Sequence, residues 1–276
     1  MNIIDSSIFD KLYHPALDSH KGQNGRLLII AGSEKFHGAM LLAVETASRI
    51  VDMVYVYTTL NNRGLIENLK SDISTFIPVL EKELWDTVEM VDAILIGPGL
   101  AEKDETVDLV KNILQNHKDK KTVIDATAMW HLNPAWLHAN CIVTPHSREF
   151  EQVYKCKPIP EHVQTMAVEY GGVVLLKGKY DYVSDGKELW ENRTGNVGMT
   201  AGGTGDVVSG TIAALACKND NLTATLAGIH LVGLAGDRLF KRFDTFYNAE
   251  DVIVSLGETW GEISNCHSRA GGNLTE

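Results

Sequence analysis

Short runs of aliphatic and β-branched residues recur along this chain with almost no polar residue alternating between them. The clearest cover residues 27–31, 53–57, 93–96, 122–124, 141–143 and 173–176. A strand apolar on both faces has no side to show to water, so it belongs to a parallel sheet covered by helices. Segments of helical period lie between these runs, at 39–50, 105–117 and 161–170. This alternation predicts an α/β fold, three-layered α/β/α with a mostly parallel central sheet.

The pattern changes after Lys177. Residues 180–184, then Asp185-Gly186, then 187–191 read as a late antiparallel hairpin closed by a type I′ turn. Two helices are predicted next, at 206–217 and 222–238, the second apolar enough to be largely buried. No linker interrupts the series, so residues 1–264 are expected to form one domain. Residues 265–276 lack an apolar period and are expected to form a frayed, disordered tail.

Composition excludes several classes of function. Lys and Arg total 25 against 36 Asp and Glu, a formal charge of −11, which opposes binding to a nucleic-acid backbone. A nucleotide is not excluded, because a small phosphate site needs only local donors. No apolar run reaches membrane-spanning length and no signal peptide opens the chain, so a cytoplasmic location and no membrane partner are expected. The four cysteines, Cys141, Cys156, Cys217 and Cys266, form no CxxC pair. Cys141 and Cys217 sit in apolar runs and read as buried free thiols. Metal-ligand spacing is absent among the histidines and cysteines, so no protein-held metal is expected.

In a sheet of this kind, ligands meet the loops at the carboxyl ends of the strands. Five predicted strands end in loops of unusual composition: Gly32-Ser33 with Gly38-Ala39 beyond, Gly97-Pro98-Gly99, Asp125-Ala126-Thr127, Thr144-Pro145-His146 and Lys177-Gly178. Singly, each reads as a tight turn or a helix cap. Taken alone, His146 reads as a satisfied core histidine, and Lys177 as either a solvated charge or a phosphate contact. Five on one rim suggest a site.

The strongest local signal is Gly202-Gly203-Thr204-Gly205-Asp206, which runs directly into a helix. Glycines let backbone N–H groups converge on one point, and a helix start adds partial positive charge there, making an anion hole. GKS or GKT is missing, and so is the GxGxxG spacing. Asp206 has two readings of equal weight. It caps the helix, or its carboxylate takes the proton of a hydroxyl that attacks a phosphoryl group.

The chain resembles the NAD(P)H-hydrate dehydratase family of the ribokinase-like superfamily from about Ser19 to about Asp237. The resemblance rests on SHKGQNGRLLIIAGSEKFHGA, AILIGPGL, VIDATA, VTPHSREF, LLKGKYDYVSDG and TGNVGMTAGGTGDVVSG, in the family's order. GGTGD alone indicates the superfamily, whereas TPHxxE, GPG and the SHKG opening point to the dehydratase. By this resemblance Ala39, Gly99, His146 and Asp206 contact the substrate, (S)-NADHX or NADPHX, a hydrated nicotinamide dinucleotide. Lys177, Gly178, Lys179, Tyr180, Asp181 and Gly205 match the ADP/AMP site. The family spends ADP (ATP in some members) to phosphorylate the ring hydroxyl, giving AMP, and eliminates phosphate to restore NADH or NADPH.

The resemblance also implies Asp206 as the base, Mg²⁺ as a helper and a homo-oligomer, possibly a tetramer. Val197 stands where the family commonly has proline, Thr200-Ala201 reverses a small pair, and Met129 ends a segment that has lost the family's second acid. Many relatives carry an epimerase domain ahead of this one. Gly25-Arg26 already opens the first strand, so none is expected here. The alternative within the superfamily is a small-molecule kinase acting on hydroxyethylthiazole or a sugar.

Overall fold

The computed structural model describes residues 1–58, 64 and 75–270. Its described strands are β1 (Asn2–Ile3), β2 (Arg26–Ile30), β3 (Met53–Tyr57), β4 (Ile77–Pro78), β5 (Ala93–Ile96), β6 (Lys121–Ile124), β7 (Cys141–Val143), β8 (Val173–Leu176), β9 (Asp181–Ser184) and β10 (Leu189–Asn192). They form one sheet in the order β1-β10-β9-β8-β7-β6-β5-β2-β3-β4. Every pairing is parallel except those of β9, which runs antiparallel to both β8 and β10. The six apolar runs thus become the parallel centre, each within one residue of its predicted bounds.

Alternate residues of the central strands feed two separate cores. Leu27 and Ile29 face helices α1 (His37–Ala47), α6 (Thr204–Ala216), α7 (Asn221–Phe243) and α8 (Ala249–Ala270). Leu28 and Ile30 face α2 (Leu84–Met90), α3 (Asp104–Asn116), α4 (Ser147–Tyr154) and α5 (Pro160–Tyr170). All four leucine and isoleucine side chains are fully buried. Both faces being covered explains why these strands read as unbroken apolar runs. Cys141 and Cys217 are buried free thiols, as expected.

From β2 the chain moves outward to β3 and β4, then returns to the other side of β2 to form β5. Connections leaving neighbouring strands in opposite directions open a crevice at their carboxyl ends, where open α/β sheets bind ligands. Ala39 and Gly99 follow those two strands.

Two local expectations need correction. The β9–β10 hairpin is closed by four residues, since Ser184 pairs with Leu189, and not by a two-residue type I′ turn. The Asp185 carboxylate accepts from the N–H groups of Lys187 and Glu188, and the Ser184 hydroxyl donates to the Glu188 carbonyl. These bonds reward a wider loop. The tail expected from Asn265 is helical up to Ala270, because α8 continues that far; residues 271–276 lie outside the described residues. Among the described residues no helix is long and apolar enough to cross a membrane.

Candidate active site

The carboxyl rim of the sheet gathers three acids around one lysine. Lys177 follows β8, and its Nζ lies 2.7 Å from Asp125 Oδ1, at the end of β6. Thr144, at the end of β7, donates its hydroxyl to the same oxygen at 2.8 Å. The Lys177 N–H bonds to the Pro145 carbonyl, extending the β7–β8 alignment into the loops. Burial works against the Lys177 charge, but Asp125, Glu149 and Asp206 together outweigh it and raise its pKa. Lys177 is therefore a charge inside the site and not a solvated one. The residue after Asp125, Ala126, has φ +48°, a conformation L side chains rarely adopt, so the turn carries strain at this point.

Asp206 faces this cluster. Its two open readings are separated by the helix start: the N-cap of α6 is Gly203, at φ +94°, with no side-chain cap bond, and Asp206 is the third residue of the helix. Burial, and then the nearby Asp125 charge, push its carboxyl up to about 7, with Lys177 pulling the other way. A carboxyl poised near neutrality suits a general base.

Glycine shapes the glycine-rich segment through close approach. A Cβ on Gly203 would sit 2.4 Å from Leu42 of α1, whereas Gly202 meets open space. A Cβ on Gly205 would lie 3.7 Å from Lys177 Nζ, so the helix start and the lysine adjoin.

One cavity of about 790 Å³ opens beside this cluster. Lys177, Gly178, Lys179, Tyr180, Asp181 and Gly205 all line it, as does Thr204. Gly202 and Gly203 of the predicted anion hole are not among its lining residues. Asp181 turns both carboxylate oxygens inward. One accepts the Gly178 N–H at 3.0 Å and the other the Asn192 amide at 3.0 Å, while Asn192 in turn meets His230 Nδ1 at 3.0 Å. The far wall, Asn196 to Thr200, is tied from behind: Asp237 accepts from the Gly195 N–H and the Asn196 amide, and Tyr247 donates to Asn196. Val208, Ile229 and Met199 give this wall an apolar surface.

Ala39 and Gly99 meet at the crevice between β2 and β5. Gly99 has φ +64°, and a Cβ there would come within 2.2 Å of the Phe36 carbonyl and 3.0 Å of Ala39 Cβ. A bond from the Gly32 N–H to the Pro98 carbonyl at 2.8 Å holds the two loops together.

His146 departs from its local reading as a core histidine. Its side chain is 51% exposed, and it forms the N-cap of α4. Glu149 completes a capping box and is itself buried, which pushes its carboxyl up to about 7. Glu149 closes the TPHxxE motif, but the sequence reading gave it no structural role, because a capping box is ordinarily recognised by Ser or Thr at its first position.

Among the described residues no group of three His, Cys, Asp or Glu side chains is arranged to hold a metal ion. Lys177 already provides the positive charge between Asp125, Glu149 and Asp206.

The fold and this rim define the class of protein. An Enterococcus faecalis ribokinase-like superfamily protein superposes with a TM-score of 0.86 at 24% identity, covering 95% of this chain and 96% of that one. The NAD(P)H-hydrate dehydratase family matches residues 27–256, and the chain belongs to that family. The bifunctional NAD(P)H-hydrate repair enzyme of Archaeoglobus fulgidus is 32% identical over 265 residues, 91% of this chain and 53% of the relative. This chain spans about half the length of such bifunctional relatives. The ADP-dependent (S)-NAD(P)H-hydrate dehydratase of Nitrosopumilus maritimus is 31% identical over 258 residues, covering 86% of this chain and 89% of that one. The ADP/ATP-dependent NAD(P)H-hydrate dehydratase of Bacillus subtilis, co-crystallised with ATP/Mg²⁺, aligns with a TM-score of 0.81 at 25% identity over 95% of this chain and 98% of that one.

Proposed function

We propose that this chain dehydrates (S)-NADHX and NADPHX to NADH and NADPH, converting ADP to AMP and phosphate as it does so. The observation that carries this reading is the position of Asp206, a half-buried carboxyl at an uncapped helix start. It follows directly on Thr204 and Gly205, which line the cavity shared with residues 177–181, and its charge is coupled to Asp125 and Lys177. Family membership supplies the substrate class.

The chemistry follows from the leaving group. Hydroxide departs poorly and phosphate departs well. Asp206 takes the proton of the ring hydroxyl as that oxygen attacks the terminal phosphorus of ADP, and AMP leaves. Phosphate then departs with the C–O bonding pair while the neighbouring carbon gives up a proton, which forms the double bond. Lys177 and the N–H groups at the start of α6 hold negative charge during the transfer. Ala39 and Gly99 form the substrate side, and the 177–181 loop with Gly205 the nucleotide side. Mg²⁺ carried on the nucleotide's phosphates would supply neutralisation of their charge beside Lys177. Cytoplasmic location, a homo-oligomer and the single-domain organisation of residues 1–264 belong to the same reading.

Product analysis tests it. Incubation with hydrated dinucleotide and ADP is expected to release AMP, phosphate and reduced dinucleotide in equal amounts. A stable phosphorylated product with no free phosphate would instead make the chain a small-molecule kinase.

A further inference from the structure

We infer that His146 serves as a hydrogen-bond donor fixed in a single neutral tautomer by its helix cap, and that Glu149 is the positioning residue that orients the donor. The inference rests on the proposed contact between His146 and the substrate, and specifies the form of the ring and what sets it.

A neutral imidazole has one nitrogen that donates and one that accepts. Here Nδ1 lies 3.1 Å from the Arg148 N–H and 3.3 Å from the Glu149 N–H, the first free donors of α4. Both partners can only donate, so Nδ1 accepts and the proton resides on Nε2. Charging the ring would cost both bonds. Burial, and then the neighbouring Lys177 charge, lower its pKa further.

Ser or Thr in a capping box is used up by the cap. Histidine caps with one nitrogen and keeps the other for use elsewhere. Glu149 holds the residue from two sides. Its Oε2 accepts the His146 N–H at 2.9 Å, and its Oε1 lies 3.5 Å from Nε2. The second distance is too long for a full hydrogen bond. The carboxylate therefore orients the Nε2–H dipole without consuming it. A ring in this state has no lone pair to offer: Nδ1 is occupied and Nε2 carries hydrogen. His146 is thus unable to act as the base, a role left to Asp206, and presents one donor to an acceptor oxygen of the substrate.

The tautomer is read directly by long-range proton–nitrogen NMR on histidine-labelled protein at neutral pH, with the His146 signals assigned by their loss in His146→Asn. Unprotonated Nδ1 with protonated Nε2 is expected; the opposite tautomer or a charged ring would overturn the inference. Asn also caps helices well but lacks the distal donor. His146→Asn is therefore expected to keep its fold and nucleotide affinity while KM for the hydrated dinucleotide rises about tenfold to a hundredfold. An unchanged KM would also overturn it. Glu149→Gln keeps both backbone donors to Nδ1 but has no charge to orient Nε2–H, so the tautomer and nucleotide affinity are expected to hold while KM for the hydrated dinucleotide rises. A wild-type KM in that variant would remove Glu149 from its role. Should wild-type protein fail to turn over the hydrated dinucleotide, the proposed function falls, while the NMR result still decides the state of the ring.

Discussion

The Lys177 ammonium lies 2.7 Å from the Asp125 carboxylate, joining the carboxyl ends of two strands that have β7 between them. Asp125 is 2% exposed and Lys177 19%, so the contact is nearly dry. Removing Lys177 leaves three acids with no positive charge among them, and removing Asp125 takes from Lys177 its hydrogen-bonded partner in a nearly dry site.

Asp125→Ala is therefore expected to destabilise the protein by about 3 kcal/mol or more, since breaking a buried pair strands its partner. Denaturant unfolding measures this. A loss below about 0.5 kcal/mol, the level of an ordinary surface substitution, would show that the pair contributes nothing.

Asp206→Asn removes the proposed base while nearly preserving shape. Turnover is expected to fall about a thousandfold. Nucleotide affinity, followed by calorimetry, should change little. Near-wild-type turnover would reassign the base.

The Asp206 and Glu149 carboxyls both sit at about 7, against ordinary values of 3.8 and 4.5. The acid limb of kcat/KM is expected to fall near pH 7, with activity rising as Asp206 loses its proton. Stability moves the other way. Between the ordinary values and about 7 the folded chain holds protons that the unfolded chain has released, so stability declines as pH rises through this window. Asp206→Asn lifts that penalty. It should raise Tm by a few degrees above pH 7 and have little effect near pH 4. Thermal melts across pH check the sign.

Gly99→Ala introduces a Cβ within 2.2 Å of the Phe36 carbonyl at a backbone φ of +64°. The expected cost is about 1–3 kcal/mol, with a raised KM for the dinucleotide as the loop separates from Ala39. Gly202→Ala meets open space and is the matched control for stability.

Much of this architecture is legible in the sequence because it follows from two faces of burial. Runs such as 93–96 have no polar residue to face water, and they became the middle of the sheet. The parts that were not legible depend on contacts distant in sequence. Asn2–Ile3 is too short to show a strand pattern and becomes one only by pairing with Trp190 and Glu191. Helix α8 carries Val252, Ile253 and Leu256 into the core, yet its polar last turns hide its length. In the site, Lys177 and Gly205 were each legible as part of a strand-end loop and a glycine-rich helix start, but their adjacency exists only after β8 and α6 are brought together. The capping role of Glu149, the last residue of TPHxxE, was hidden because His146 replaces the Ser or Thr that ordinarily marks the box.

The most direct test of the proposed function follows the absorbance of reduced nicotinamide when the purified protein is mixed with (S)-NADHX, Mg²⁺ and ADP. Absorbance is expected to rise only with nucleotide present, matched by released phosphate and abolished in Asp206→Asn. A bound nucleotide with no rise in absorbance would contradict the dehydratase reading.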